Sequence, residues 1–85
     1  MPDSQTIHDK VKDFILKEFL PGEDPSALTD STELMTTGIL DSLATLKLVT
    51  WLEEQFGIQV EAHEADAENL NTLTDIVRLV SSKLE

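Results

Sequence analysis

Apolar residues recur at helical spacing near the beginning of the chain. They fall three or four positions apart, with one adjacent pair, at Ile7, Val11, Phe14, Ile15 and Phe19. This spacing places one apolar stripe along an α-helix. Ser4 or Thr6 can cap the start of this helix, and Pro21-Gly22 ends it.

A second helical pattern runs from Asp41 to Phe56. Asp41 can act as the N-cap, and Gly57 lies where a left-handed residue ends a helix. Projection at about 100° per residue separates two faces. The apolar face consists of Leu48, Val49, Leu52 and Phe56, with Leu46 at its edge. The opposite face consists of Leu43, Lys47, Thr50 and Glu54. Leu43 is therefore an apolar residue on the face that should contact water.

The C-terminal third predicts a short helix and a long one. Residues 61–69 are acidic with alanines, which indicates a short, weakly amphipathic helix or turn. The last helix begins at Thr72, and Asp75 three positions later resembles a capping box. Its apolar residues at helical spacing are Leu73, Ile76, Val77, Val80 and Leu84. Because no segment alternates long enough for a strand, we predict an all-α fold, a small four-helix bundle of three main helices and one short helix.

A long loop separates the first and second helices. Residues 21–40 are rich in Pro, Gly, Ser, Thr and Asp. Loops of this length inside a small domain are usually functional or held down by their own side chains. The apolar residues expected to hold this one are Leu28, Leu34, Met35, Ile39 and Leu40.

Composition and charge exclude several functions. The 85 residues include six Lys and Arg against seventeen Asp and Glu, a net charge of −11. Nucleic acid and anionic membrane surfaces both require clustered cations, so neither is an expected partner. Without cysteine, disulfides, thiolate metal sites and cysteine catalysis are excluded. No apolar run is long enough to span a membrane. We expect residues 1–85 to form a single cytoplasmic domain.

Ser42 is the main candidate for chemistry. It follows Asp41 in the run GILDSL and lies at the first turn of the second helix, between its two faces. A helix N-terminus is electropositive and offers free N–H donors, so it tolerates a phosphate on that hydroxyl. The alternative is that Asp41-Ser42 is simply a helix cap.

The run GILDSLATLKLVTWLEEQFGIQV resembles the signature of acyl carrier proteins and the related aminoacyl and peptidyl carrier domains. The resemblance covers nearly the whole chain, since the first helix, the long loop and the closing segment ENLNTLTDIVRLV fall where that family has them. It implies that Ser42 receives a 4′-phosphopantetheine arm from coenzyme A. It also implies that Asp41 is the neighbouring carboxylate, which often helps to bind metal in the modifying transferase.

The resemblance further implies a partner-binding face on the second helix. Its members would be Leu43, Leu46, Lys47, Thr50 and Glu54. Lys47 replaces the acidic residue, and Thr50 the apolar residue, that fatty-acid-type carriers usually have at these positions. These differences favour a stand-alone carrier of a specialised pathway, including D-alanyl and other single-unit carriers.

The sequence bears on three classes of function. The first is a monomeric carrier that would hold an acyl or aminoacyl group as a thioester. Its partners would be a phosphopantetheinyl transferase, an acyl- or aminoacyl-activating ligase, and downstream transferases or synthases. The alternative is an acidic helical docking module without a prosthetic group. A small enzyme is disfavoured, because no supported Ser-His-acid set is present and His8 and His63 have no nucleophile or metal-ligand partner at suitable spacing.

Two other features have a structural and a functional interpretation. The acidic residues and the imidazole between positions 61 and 68 are more typical of a solvated face than of a divalent-cation site, and we predict no metal. They are Glu61, His63, Glu64, Asp66 and Glu68. Trp51 either covers the core or contacts a partner, and we favour the core.

Overall fold

Helices are the only regular secondary structure in residues 3–84, the part of the chain that this computed structural model describes. The four α-helices are α1 (Ser4–Phe19), α2 (Ser42–Phe56), α3 (Ala67–Leu70) and α4 (Leu73–Leu84). Two short 3-10 turns, Pro25–Ala27 and Ala62–Glu64, interrupt the loops. The all-α prediction, with three longer helices and one short one, is confirmed. No helix in this part of the chain is long and apolar enough to cross a membrane.

The two ends of α1 differ in how well the sequence predicted them. The N-cap is Asp3, whose carboxylate accepts a hydrogen bond from the Thr6 N–H at 2.8 Å. The prediction of Ser4 or Thr6 as the cap is wrong, because the helix already begins at Ser4. The chain turns at Pro21-Gly22 as predicted, and Gly22 has a φ of 86°, a conformation that strains any residue with a Cβ.

The core lies where α1, α2 and α4 converge. α1 packs most extensively against α4, with smaller contacts from α2 and α3 to α4. The buried residues of the three long helices are Ile7, Val11, Ile15, Ala44, Thr45, Leu48, Leu52, Leu73, Ile76, Leu79 and Val80. Leu79 was not among the predicted apolar positions of the last helix, and Val77 and Leu84 are only half-buried.

An aromatic cluster joins α1 to α2. The ring of Phe14 stacks on Trp51 with centroids 4.4 Å apart and an interplanar angle of 12°. Phe19 and Phe56 approach these two rings edge to face. Trp51 is half-buried and packs against the core, which supports the structural interpretation of this residue.

The long loop is held down by apolar side chains and by Asn71, which lies between α3 and α4. Leu28, Leu34 and Leu40 are buried, and the other two predicted contacts are half-buried. The Leu34 N–H donates to the Asn71 carbonyl at 2.6 Å. The Asn71 side-chain oxygen accepts from the next two N–H groups of the loop, at 2.9 and 3.2 Å. The loop therefore has a defined path into α2.

Candidate functional site

Ser42 is the first residue of α2 and is exposed. Asp41 caps the helix as predicted, since its carboxylate accepts from the Ala44 N–H at 2.8 Å and its carbonyl from the Thr45 N–H at 2.8 Å. The preceding residue, Leu40, is buried and donates its N–H to the Leu34 carbonyl at 2.9 Å. A buried residue and a capped helix therefore fix the backbone on both sides of Ser42.

The predicted partner face lies together on the solvent side of α2. Leu43 is 66% exposed and Leu46 is 62% exposed, and no other large apolar residue in positions 3–84 is as open to water. Lys47, Thr50 and Glu54 are also exposed. Leu46, predicted at the edge of the apolar face, therefore belongs with the exposed residues. Two leucines exposed within one turn of each other leave an apolar patch beside Ser42.

A cavity of about 780 Å³ opens beside Ser42. It lies between α2 and the segment 60–65, which we call the cavity wall. Its lining is mostly apolar and consists of Met35, Leu40, Asp41, Ser42, Thr45, Leu46, Val49, Thr50, Glu53, Val60, Glu61, Ala62 and Ala65. Sequence patterns did not predict this cavity, because its two sides come from separate segments.

Thr45 is a buried polar residue of α2 beside the cavity. The residue is 7% exposed, and its Oγ1 has no hydrogen-bond partner within the described residues. A buried hydroxyl without a partner costs free energy, on the order of 1–3 kcal/mol. The apolar pattern of α2 gave no reason to select Thr45 in advance.

Two of the acidic residues after α2 serve the local fold. Glu64 pairs with Lys83 at 2.6 Å, and this hydrogen bond is the main reason why the pKa of Glu64 lies below its ordinary value. Asp66 caps α3 by accepting from the Asn69 N–H at 3.2 Å. Across residues 3–84, no group of three acidic or imidazole side chains is arranged to hold a metal ion.

His8 has partners that the sequence analysis missed. Its Nε2 lies 2.5 Å from Asp30 Oδ1, and its Nδ1 lies 3.2 Å from Asp9 Oδ1. The Asp30 carboxylate, followed by that of Asp9, raises the pKa of the imidazole, although partial burial opposes the shift. Asp30 lies 22 positions away in the loop, so spacing along α1 could not reveal the contact.

Comparison with known proteins identifies the family to which this chain belongs. Residues 15–80 match the family model described as a phosphopantetheine attachment site. The chain belongs to the acyl carrier protein family. It is 34% identical over 84 residues to an acyl carrier protein of Thermotoga maritima, an alignment that covers 99% of both chains. It is 38% identical over 72 residues to a D-alanyl carrier protein of Streptococcus uberis, covering 85% of this chain and 87% of the relative.

A third relative is longer than this carrier protein. Acyl carrier protein 1, chloroplastic, of Casuarina glauca is 39% identical over 71 residues, which are 84% of this chain and 50% of the relative.

Membership of the family means that the carrier protein bears a 4′-phosphopantetheine prosthetic group and is not itself a catalyst. It is modified by a phosphopantetheinyl transferase and works with biosynthetic enzymes. The carrier role replaces the alternative of a docking module without a prosthetic group.

Proposed function

We propose that Ser42 carries the 4′-phosphopantetheine arm and that the protein presents an acyl or aminoacyl group, held there as a thioester, to partner enzymes. The observation that carries this proposal is the position of Ser42. It is exposed at the first residue of α2, directly after the Asp41 cap and at the mouth of the cavity. The sequence around it, Asp41-Ser42-Leu43, is the motif in which the family places its attachment serine.

The start of α2 suits the phosphate end of the arm. The first N–H groups of a helix have no partner inside the helix, and they point toward the N-terminus. Asp41 occupies one of them, that of Ala44. The remaining donors and the positive end of the 15-residue helix favour an anion on the Ser42 oxygen. Transfer forms a bond from this oxygen to the phosphorus of coenzyme A that bears the pantetheine group. The bond from that phosphorus to 3′,5′-adenosine bisphosphate breaks, and the serine hydroxyl proton is released.

The cavity suits the other end of the arm and the first atoms of the cargo. The arm supplies the thiol on which the acyl group is held. The apolar residues Leu40, Val49 and Val60 offer contacts to a hydrocarbon chain. These residues would shield a thioester from water.

The solvent face of α2 is the proposed contact surface for partner enzymes. Leu43, Leu46, Lys47, Thr50 and Glu54 surround the start of the arm, so an enzyme that contacts them also reaches Ser42. We assign this face to the transferase, to an acyl- or aminoacyl-activating ligase and to downstream transferases or synthases. We further propose that residues 1–85 act as one monomeric domain in the cytoplasm, without nucleic-acid partners.

The test is the mass of the protein after incubation with coenzyme A and a broad-specificity phosphopantetheinyl transferase. Wild type should gain one arm, and Ser42→Ala should gain none. Ser31→Ala, which removes an exposed serine from the loop, is the matched control and should gain one arm. An unmodified wild type with several transferases, or a modified Ser42→Ala, would refute the assignment. In a separate measurement, the intact mass of protein purified from its native host would identify the cargo.

A further inference from the structure

The cavity wall is held in place by side-chain carboxylates at its N-terminal end. The N–H of Val60 donates to Glu53 Oε2 on α2 at 2.9 Å. The N–H of Glu61 donates to Glu64 Oε1 at 2.9 Å. Both of these N–H groups depend on side-chain acceptors, whereas those of Glu64 and Ala65 donate to backbone carbonyls. The path of the wall therefore depends on where the two carboxylates are held.

Lys83 fixes one of these carboxylates. Its Nζ lies 2.6 Å from Glu64 Oε1, the same oxygen that accepts from the Glu61 N–H. The two side chains are only 25% and 19% exposed, so water screens this pair less than it screens a surface pair. Lys83 lies in the last turn of α4, whose other side is buried in the core. The wall is thus connected to α4.

We propose that Lys83 is a positioning residue that acts through Glu64 to hold Glu61 of the cavity wall in place, and that it thereby determines how well the cavity shields a thioester-bound acyl chain. This inference rests on the proposed function, because it assumes that the cargo lies in the cavity. Lys83 is not among the residues that line the cavity, so its effect on the cargo is indirect.

The chain offers a matched control for removal of this lysine. Lys17 pairs with Asp13 at 3.0 Å on α1, but these side chains are largely exposed and do not line the cavity. Exposed pairs of this kind contribute little to stability. Lys17→Met and Lys83→Met change the net charge equally. Lys83→Arg retains the cation and should preserve the contact with Glu64.

Amide hydrogen exchange in the protein without its arm tests the wall directly. In Lys83→Met the Glu64 carboxylate loses its cation, and exchange at the Glu61 N–H should accelerate by about threefold or more. The Val60 N–H, held by Glu53, should change less. Lys17→Met and Lys83→Arg should exchange at the wild-type rate. Equal rates in the two methionine variants would overturn the proposal.

Thioester cleavage tests the consequence for cargo. The arm is loaded with an octanoyl or an acetyl group, and hydroxylamine attacks the carbonyl carbon, so that the C–S bond breaks to give a hydroxamate and the free thiol. Lys83→Met should raise the cleavage rate of the octanoyl form by about threefold or more, because the cavity is open for a larger fraction of the time. The acetyl form, too short to depend on the cavity, should change little. Lys83→Arg should restore the wild-type ratio of the two rates.

The outcomes distinguish this inference from the proposed function. If wild-type octanoyl cargo is cleaved as fast as octanoyl-pantetheine free in solution, the cavity does not shield the cargo. Both the shielding role proposed for the cavity and the role proposed for Lys83 then fail. If wild type shields the cargo but Lys83→Met and Lys17→Met have the same octanoyl-to-acetyl ratio, only the role of Lys83 is overturned. A change confined to Lys83→Met, with rescue by arginine, supports it.

Discussion

His8 on α1 and Asp30 in the long loop are joined by a 2.5 Å contact between Nε2 and Oδ1. Thr74 of α4 donates its N–H and its hydroxyl to the Asp30 carbonyl, at 3.4 and 3.3 Å. Asp30 therefore connects α1, the loop and α4. The α4 residues beside this contact, Thr74 and Val77, carry no charge, so Asp9 and Asp30 dominate the environment of the imidazole.

This contact predicts a pH-dependent contribution to stability. The folded-state pKa of His8 is raised above about 6.5, its value in the unfolded chain. The stabilisation is therefore fully present below about pH 6.5 and is lost as the pH rises through the folded-state pKa. The difference in melting temperature between wild type and His8→Gln should be largest in mild acid and should shrink toward pH 8–9. Asp30→Asn should reduce this pH dependence, and a difference that does not change with pH would contradict the prediction.

Two substitutions at Asp41 separate its cap from its charge. Asp41→Ala removes the acceptor for the Ala44 N–H and should lower the free energy of unfolding by about 1 kcal/mol. Asp41→Asn keeps a capping oxygen and should cost much less. If the carboxylate also helps to bind the metal of the transferase, both variants should slow arm transfer. Chemical denaturation measures the free energy of unfolding, and transferase kinetics measure the rate of arm transfer. If Asp41→Asn accepts the arm at the wild-type rate, the role of Asp41 is the helix cap alone.

Leu43→Ala should affect partners more than folding. Leu43 is 66% exposed, so its truncation should change the free energy of unfolding by no more than about 0.5 kcal/mol. Leu48→Ala, on the buried side of the same helix, should cost about 2–5 kcal/mol. Arm transfer to Leu43→Ala should be slowed about tenfold if the leucine enters an apolar pocket of the transferase. A loss of stability with unchanged kinetics would reverse this assignment.

Lys47→Glu should change the choice of partner. The substitution restores the charge of fatty-acid-type carriers on the exposed face of α2. It should improve recognition by fatty-acid-synthase enzymes that bind acidic helices and weaken recognition by the cognate loading ligase. Lys10→Glu makes the same change of charge at an exposed position of α1 and serves as the control. If the two variants behave alike toward one enzyme of each kind, net charge rather than the α2 face governs recognition.

Salt should stabilise the folded protein. A net charge of −11 on 85 residues causes self-repulsion that is stronger in the compact state. Raising NaCl from about 10 mM to about 150 mM shortens the screening length from about 30 Å to about 8 Å. Relief of about 0.5 kcal/mol would raise the melting temperature by about 2–4 °C. Divalent cations should act at lower concentrations than sodium, whereas a flat or falling melting temperature would show that the carboxylates are already compensated.

The sequence alone determined the features that depend on neighbouring residues. The periodicity of apolar residues located α1, α2 and α4, because a helical face repeats every three or four positions. Asp41 and Gly57 marked the ends of α2, since a cap bonds to an N–H only a few residues away. The same local pattern identified the exposed Leu43 beside Ser42. At the start of α1, several polar residues could cap the helix, and the pattern did not single out Asp3.

Tertiary structure decided the features that join distant parts of the chain. The cavity combines α2 with residues 60–65, so it exists only when both segments are in place. Asn71 anchors a loop more than 30 positions away. The contacts of His8 with Asp30 and of Lys83 with Glu64 also cross between elements. Periodicity records which side of a helix is buried but not which residue of another element lies opposite, and that pairing is set by the packing of the whole core.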